Sequence, residues 1–255
     1  MRLSVIIPTL NEQQAIEGLC DFGEFAARDI EVIVSDGGSE DATVAKAQAR
    51  GFKIVTGPAG RGQQLRAGAS VASGDTLLFL HADTRLQPGS ISAIDSALTS
   101  PEIVGGNFRL LFDGGSEFAH WLNGFYAKLR ANGFYYGDSA VFVRRRVYDR
   151  LGGIKNIELM EDFDFNRRLE NFGKTICIDA PPAVTSSRRF EGRKRWRIVT
   201  QWIVIHLLFF ARVSPAILAW LYRSRRHSPM MSNSEQSISV RSPENGLETA
   251  RPSGS

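Results

Sequence analysis

Three stretches of this chain hold residues whose types and spacing can do chemistry. In Leu77-Leu78-Phe79-Leu80-His81-Ala82-Asp83-Thr84 an apolar run ends by presenting His81 and Asp83. A hard divalent cation riding on a diphosphate is met by one or two carboxylates there, the substrate oxygens completing its shell. Asp83 could equally cap the turn before Gln87-Pro88-Gly89. In Val32-Ile33-Val34-Ser35-Asp36-Gly37-Gly38-Ser39 the glycines would let backbone approach a ligand, and a helix starting at Ser39, with Asp41 in its first turn, would offer free N–H groups. An ordinary strand-to-helix turn capped by Ser39 explains the same residues. The third stretch, Met160-Glu161-Asp162-Phe163-Asp164, places Glu161 and Asp164 on one helical face and Asp162 on another. One of these acids, aimed into a cleft, can take the proton of an attacking hydroxyl. All three also complement a helix N-terminus without any chemistry.

Two weaker features accompany them. Arg61 sits among glycines in Gly57-Pro58-Ala59-Gly60-Arg61-Gly62, where backbone and guanidinium together suit a diphosphate, or where a solvated loop needs nothing more. Gly137-Asp138-Ser139 leads into the strand-like run Ala140-Val141-Phe142-Val143.

Elements must hold these residues at one place. Short apolar runs ending in turn residues recur at 3–8, 30–36, 52–57 and 76–84 with helix-compatible segments between them. That alternation predicts an α/β fold with a largely parallel sheet and right-handed crossovers. Ligands of such sheets bind beyond the carboxyl ends of the strands, which is where Thr9, Asn11, Glu12, Asp36, His81 and Asp83 fall. Further on come a helix-like segment from Ile91, a strand over Gly105–Phe112, an aromatic stretch broken by glycine from Phe118 to Tyr136, a helix starting near Met160 and stopping at Gly173, and a strand from Thr175.

The order of motifs, S-V-I-I-P-T-L-N-E, V-S-D-G-G-S-E-D-A-T, G-D-T-L-L-F-L-H-A-D-T and E-D-F-D-F-N-R-R-L, resembles that of family-2 glycosyltransferases of the GT-A fold, from about Arg2 to Ala180. The resemblance implies a Rossmann-like nucleotide-binding half with a mixed central sheet and inverting transfer from a nucleotide-diphosphate sugar, a UDP-sugar ahead of GDP-mannose. It implies that Pro8, Thr9, Asn11, Glu12 and Asp36 line the nucleotide pocket, Asp36 on the base, that Asp83 binds the metal, and that Asp162, beside Glu161, is the base. Asp138 resembles an acceptor-side element of a small subgroup. One departure stands out: His81 occupies the place of the first acid of the aspartate-x-aspartate motif. A His81/Asp83 pair would favour Mn²⁺ over Mg²⁺. The Q-x-x-R-W motif of processive members is absent, its nearest counterpart being Gly192-Arg193-Lys194-Arg195-Trp196, so a non-processive enzyme is expected.

The organisation read from the sequence is a catalytic domain over 1–190, a basic and apolar segment over 191–226 and a disordered tail over 227–255, rich in Ser, Pro, Gly, Asn and Glu. Between Arg188 and Arg226 ten Lys or Arg stand against the single acid Glu191, around the apolar run Ile198–Ala211. That run is shorter than the roughly 20 residues needed to span a bilayer. With Trp196, Trp202, Trp220 and Tyr222 it suits an amphipathic helix lying on an anionic membrane, and a helical hairpin broken at Pro215 and buried on the protein is the competing arrangement. The expected partners are a nucleotide-sugar donor and a lipid-linked or small-molecule acceptor offering a hydroxyl or carboxylate, with peripheral contact at the cytoplasmic face of the cell membrane and no nucleic acid. Cys20 and Cys177 read as buried thiols of a reducing compartment. Two other readings compete: a nucleotidyltransferase, which would normally carry a Gly-rich loop where Pro8-Thr9-Leu10-Asn11-Glu12 stands, and a nucleotide-binding membrane scaffold with a decayed metal site.

Overall fold

A computed structural model describes residues 1–19, 30–187 and 195–224; Cys20 and the tail over 227–255 lie outside them. Strand β1 (Leu3–Thr9), α1 (Gln13–Gly18), β2 (Ile30–Asp36), α2 (Thr43–Ala49), β3 (Lys53–Thr56), α3 (Arg61–Val71) and β4 (Thr76–Phe79) alternate as the apolar runs predict. All of β4 and all of β1 except Pro8 are buried, as expected of a central parallel strand covered on both faces. Side-chain alternation divides the core in two. Val5, Ile7, Val34 and Leu78 pack on one face of the sheet, and Ile6, Ile33, Leu77 and Phe79 on the other.

The sheet has eight strands in the order β3-β2-β1-β4-β7-β6-β8-β5, where β5 is Thr84–Leu86, β6 Ile103–Phe112, β7 Val141–Arg144 and β8 Lys174–Thr185. Strands β1 to β4 are parallel, but β7 runs antiparallel to β4 with Phe79 opposite Val141. The sheet is therefore mixed, and its polarity reverses beside β4. This reversal builds the site: the residues that leave β4 and the residues that enter β7 emerge at the same edge.

Helices α4 (Ser90–Ala97), α5 (Glu117–Ala131), α6 (Arg145–Arg150) and α7 (Glu161–Phe172) complete the body, followed by α8 (Arg195–Phe210) and α9 (Pro215–Ser224). The stretch over Phe118–Tyr136 contains an unbroken 15-residue helix, not a segment interrupted at Gly124. The Ser116 hydroxyl caps it by accepting from Ala119 N at 3.1 Å, Glu117 stands in its first turn and Lys128 and Arg130 in its last. One interior glycine, at a cost of about 1 kcal/mol, is outweighed by those terms and by the buried Phe118, Ala119 and Leu122.

The segment over 191–226 differs from the catalytic domain in composition, but its described residues 195–224 pack onto that domain. Ile205 of α8 and Leu218 of α9 bury themselves against Met160 and Phe163, and Ile198 joins the main core. Arg212 (φ 59) breaks the chain between the two helices. Among the described residues no helix is long and apolar enough to cross a membrane.

Candidate active site

The site forms where α3, α7, the turn after β4 and the short helical turn Gly137–Ser139 converge. Strand β4 stops at Phe79, and a turn follows in which Thr84 N donates to the His81 carbonyl at 3.0 Å. Asp83 is half-buried in that turn, its carbonyl accepting from Ser186 N at 3.2 Å. It is thus presented from a turn and not from a strand end projecting into solvent. Thr84 Oγ1 donates to the Asp138 carbonyl at 3.4 Å, which ties this turn to the entry of β7.

Asp162 is 7% exposed and Glu161 1%, so the start of α7 turns both acids inward. The expectation that Glu161 would share its face with Asp164 is corrected by the structure. Arg61, the first residue of α3, reaches between the adjacent acids, with its Nε on Glu161 Oε1 and a terminal nitrogen 3.4 Å from Asp162 Oδ2. Asp164 faces outward to Lys155 and Arg168, each at 2.8 Å. At a helix start a cation bridging residues one apart overrides the usual three-to-four spacing. The sequence leaves Arg61 between a donor diphosphate and a solvated loop; here its guanidinium is held by the acids, with 37% of the side chain exposed.

Asp162 Oδ2 also accepts from Gly137 N at 2.9 Å and Oδ1 from Phe163 N at 2.7 Å. Burial pushes the Asp162 carboxyl up, but Arg61, the Gly137 and Phe163 N–H groups and nearby His81 together hold it below the ordinary range. Burial and the Asp162 charge raise Glu161 despite Arg61. The two acids are therefore pushed apart, and Asp162 is the one that stays ionised. A methyl group on Gly137 would lie 2.8 Å from His81 Nε2 and 3.2 Å from Asp162 Oδ2, so His81 and Asp162 flank one point. Arg61, His81, Asp138 and Asp162 all line one cavity of about 360 Å³.

The residues expected at the nucleotide form a second group along the ends of β1 and β2. Asp36, 2% exposed, accepts from Thr9 Oγ1 at 3.0 Å, Ser39 Oγ at 2.5 Å, Gly38 N at 2.9 Å and Ser39 N at 2.8 Å. Burial opposes its charge, yet the donors from Ser39, Thr9 and Gly38 hold its carboxyl below the ordinary range. Four donors fill the acceptor capacity of a carboxylate, so here Asp36 organises its own turn. Ser39 is spent on that turn; the helix begins later, at Thr43. Asn11, at φ 55, donates its N–H to Ser39 Oγ and accepts from Glu40 N, both at 2.8 Å, and Glu12 N donates to Thr43 Oγ1 at 2.8 Å. Pro8, half-buried, pairs with Ser35 across β1 and β2.

Gln64 is a residue that motif reading missed. Buried on α3, it donates through Nε2 to the carbonyls of Thr9 at 2.6 Å and Ser35 at 2.9 Å, locking the ends of both strands to the helix that carries Arg61. Its sequence signal is only a polar residue three positions after Arg61, on the face of an otherwise ordinary helix.

Among the described residues no cluster of three or more His, Cys, Asp or Glu is placed to hold a metal ion. His81 and Asp83 lie two residues apart in one turn, His81 lining the cavity and Asp83 half-buried outside its lining, so at most two protein donors are offered there. A divalent cation that takes most of its oxygens from a diphosphate and water fits such a set.

Residues 4–152, more than half the chain, match the family described as glycosyl transferase family 2. The chain belongs to that family. The fold of this glycosyltransferase is similar to that of the mannosyltransferase PcManGT from Pyrobaculum calidifontis, solved with GDP-Man and Mn²⁺: TM-score 0.60, 20% identity, 89% of this chain and 70% of that one covered. It is also similar to glucosyl-3-phosphoglycerate synthase from Mycobacterium tuberculosis, solved with phosphoglyceric acid: TM-score 0.56, 21% identity, 81% and 79% covered. Another structure of that synthase, with Mn²⁺, UDP and glucosyl-3-phosphoglycerate, gives a TM-score of 0.54 at 20% identity over 81% and 78%. At such identities the likeness establishes the GT-A architecture. Family membership sets the nucleotidyltransferase alternative aside.

Proposed function

We propose that this glycosyltransferase carries out an inverting, single-displacement transfer with Asp162 as the base. The observation that carries the reading is the convergence of Asp162, kept ionised by Arg61 and the Gly137 N–H, with His81 and Asp138 at the point where the sheet changes polarity. An acceptor oxygen attacks the anomeric carbon as the bond to the diphosphate breaks. The proton of the acceptor hydroxyl passes to Asp162, and the bonding electrons leave with the nucleoside diphosphate. Glu161 acts through Arg61, orienting the guanidinium that neighbours the leaving diphosphate. Asp83, with His81 beside it, would hold a divalent cation, Mn²⁺ ahead of Mg²⁺, whose chemistry is charge neutralisation on the leaving group.

The donor is a nucleotide-diphosphate sugar, UDP-sugar first and GDP-mannose second. Thr9, Asn11, Glu12 and the Asp36 turn form the wall it would meet beyond the strand ends. The acceptor is lipid-linked and the enzyme peripheral at the cytoplasmic face of the membrane. The support is the apolar surface that α8 and α9 leave open, with Trp196 62% and Trp220 66% exposed.

The test is thermal stabilisation by UDP, GDP, CDP and ADP with and without Mn²⁺, since a ligand of the folded state raises its stability. A metal-dependent shift with one diphosphate supports the reading. No shift with any of the four, from folded protein, would overturn it in favour of a scaffold without transferase activity.

A further inference from the structure

The cavity at Asp162 has two unlike ends. Asp162, His81, Arg61 and Asp138 close one, while the rest of its wall is mostly apolar, drawn from α5, the segment 134–136, Leu159 and Met160, α8 and Tyr222 of α9. Its 360 Å³ lies within the range that encloses a small ligand or part of a larger one. Two polar side chains of that wall turn their polar atoms on each other. The Tyr136 hydroxyl lies 2.7 Å from His206 Nε2, and His206 Nδ1 lies 2.7 Å from the Trp202 carbonyl. A carbonyl only accepts, so Nδ1 donates to it, and in a neutral imidazole Nε2 accepts from the Tyr136 hydroxyl. Burial, with Asp162 and Asp138 nearby, pushes the Tyr136 phenol up and keeps that donor protonated. What these residues present to the cavity is ring surface.

The wall continues into solvent. Ile203, Leu207 and Phe210 line the cavity and are also 51%, 63% and 57% exposed, so they form its rim. An apolar track from a catalytic carboxylate to an open apolar edge matches a ligand with a reactive polar head and a hydrocarbon body. In the sequence, α8 falls within the stretch 188–226, whose ten Lys or Arg against one acid complement an anionic lipid surface.

We propose that the cleft between α5 and α8 is the binding groove for the hydrocarbon chain of the acceptor, which enters from an anionic lipid surface across Ile203, Leu207 and Phe210. Its reactive oxygen then stands at Asp162. This assignment rests on the transfer reaction above and names the acceptor as a long-chain amphiphile. Helix α8 has both tasks, its inner face being groove wall and its outer edge the lipid contact.

The experiment measures binding of n-alkyl β-glucosides of increasing chain length, below their micelle-forming concentrations, to the full chain, together with co-sedimentation with phosphatidylglycerol vesicles. The expected result is an affinity gain of roughly two- to fourfold per methylene. That gain should be lost in Leu207→Asp, whose exposed site tolerates the charge, and in Val199→Trp, which fills the groove; the protein should pellet with the vesicles. A flat chain-length series, a series unaffected by both variants, or graded binding without vesicle association would each overturn the proposal. Nucleotide stabilisation measured on the same protein separates the two readings. A nucleotide shift with a flat series removes only the groove, and absence of the nucleotide shift removes the transferase site whatever the alkyl series shows.

Discussion

Asp36 and Asp162 are both buried carboxylates held ionised, but by different means and with different consequences when changed. Asp36 is held by four donors of its own turn, so Asp36→Asn would set an amide N–H₂ against N–H and O–H groups and leave some of them unsatisfied. The expected loss of stability is about 2 kcal/mol, the range for charge-assisted hydrogen bonds. Because burial raises the folded-state carboxyl but the donors from Ser39, Thr9 and Gly38 outweigh it and leave it below its unfolded value, its contribution is complete above the ordinary carboxylate range. It drains away as pH falls through the folded value, since the unfolded chain takes up the proton first. Denaturant unfolding of both proteins should show a gap near neutral pH that closes below about pH 4; a gap independent of pH would mean the charge is not what holds the turn. Asp162 is held instead by a neighbouring helix, through Arg61. Asp162→Asn should keep diphosphate binding but lower turnover by about 10² to 10⁴-fold, the usual contribution of a general base. Retained turnover would assign the base elsewhere.

At the scale of elements, the close approach of strands and helices leaves no room for a single carbon at several glycines, Gly106 and Gly137 among them. A Cβ on Gly106 would lie 2.1 Å from the Ile176 carbonyl oxygen, so Gly106→Ala must push β8 away from β6, its neighbour in the sheet. A loss of about 3 kcal/mol or more is expected, visible as a lower thermal midpoint. At Gly137 the clash is with His81 and Asp162, and Gly137→Ala should instead cut turnover at least tenfold with a smaller change in midpoint. Equal effects of the two on midpoint and turnover would contradict this division. These elements also mark what the sequence could and could not reveal. Strands β1 to β4 were legible because continuous apolar runs end in Thr9, Asp36 and His81. The helix start at Ser39 was misplaced because the Ser39 hydroxyl serves Asp36, a contact made in a turn that periodicity does not encode. Helix α5 was hidden by Gly124 and its aromatic residues, and the pairing of Arg61 with Glu161 and Asp162 bridges 100 residues, a distance no local pattern reports.

For the whole molecule, the decisive matter is whether α8 and α9 form an appendage or part of the core. If they were an anchor alone, truncation after Val199 would release the protein from anionic vesicles and leave the rest intact. In the structure Ile205 and Leu218 cover Met160 and Phe163, and Phe163 follows directly on Asp162, so that truncation would uncover the floor of the catalytic helix. Loss of several buried side chains at about 1.5 to 3 kcal/mol each would consume much of the stability of an ordinary domain. The truncated chain is therefore expected to lose its cooperative thermal transition together with its vesicle binding. Removal of the exposed rings should separate the two effects. Trp196→Ala with Trp220→Ala touches side chains that are mostly in solvent, so the midpoint should stay within the small change typical of surface substitutions. Co-sedimentation with phosphatidylglycerol vesicles should nevertheless weaken, because indole rings carry much of the interfacial affinity of such a surface. If the double variant pelleted as the unaltered protein does, the open face of these helices would not be the lipid contact, and their role would lie in covering Met160 and Phe163.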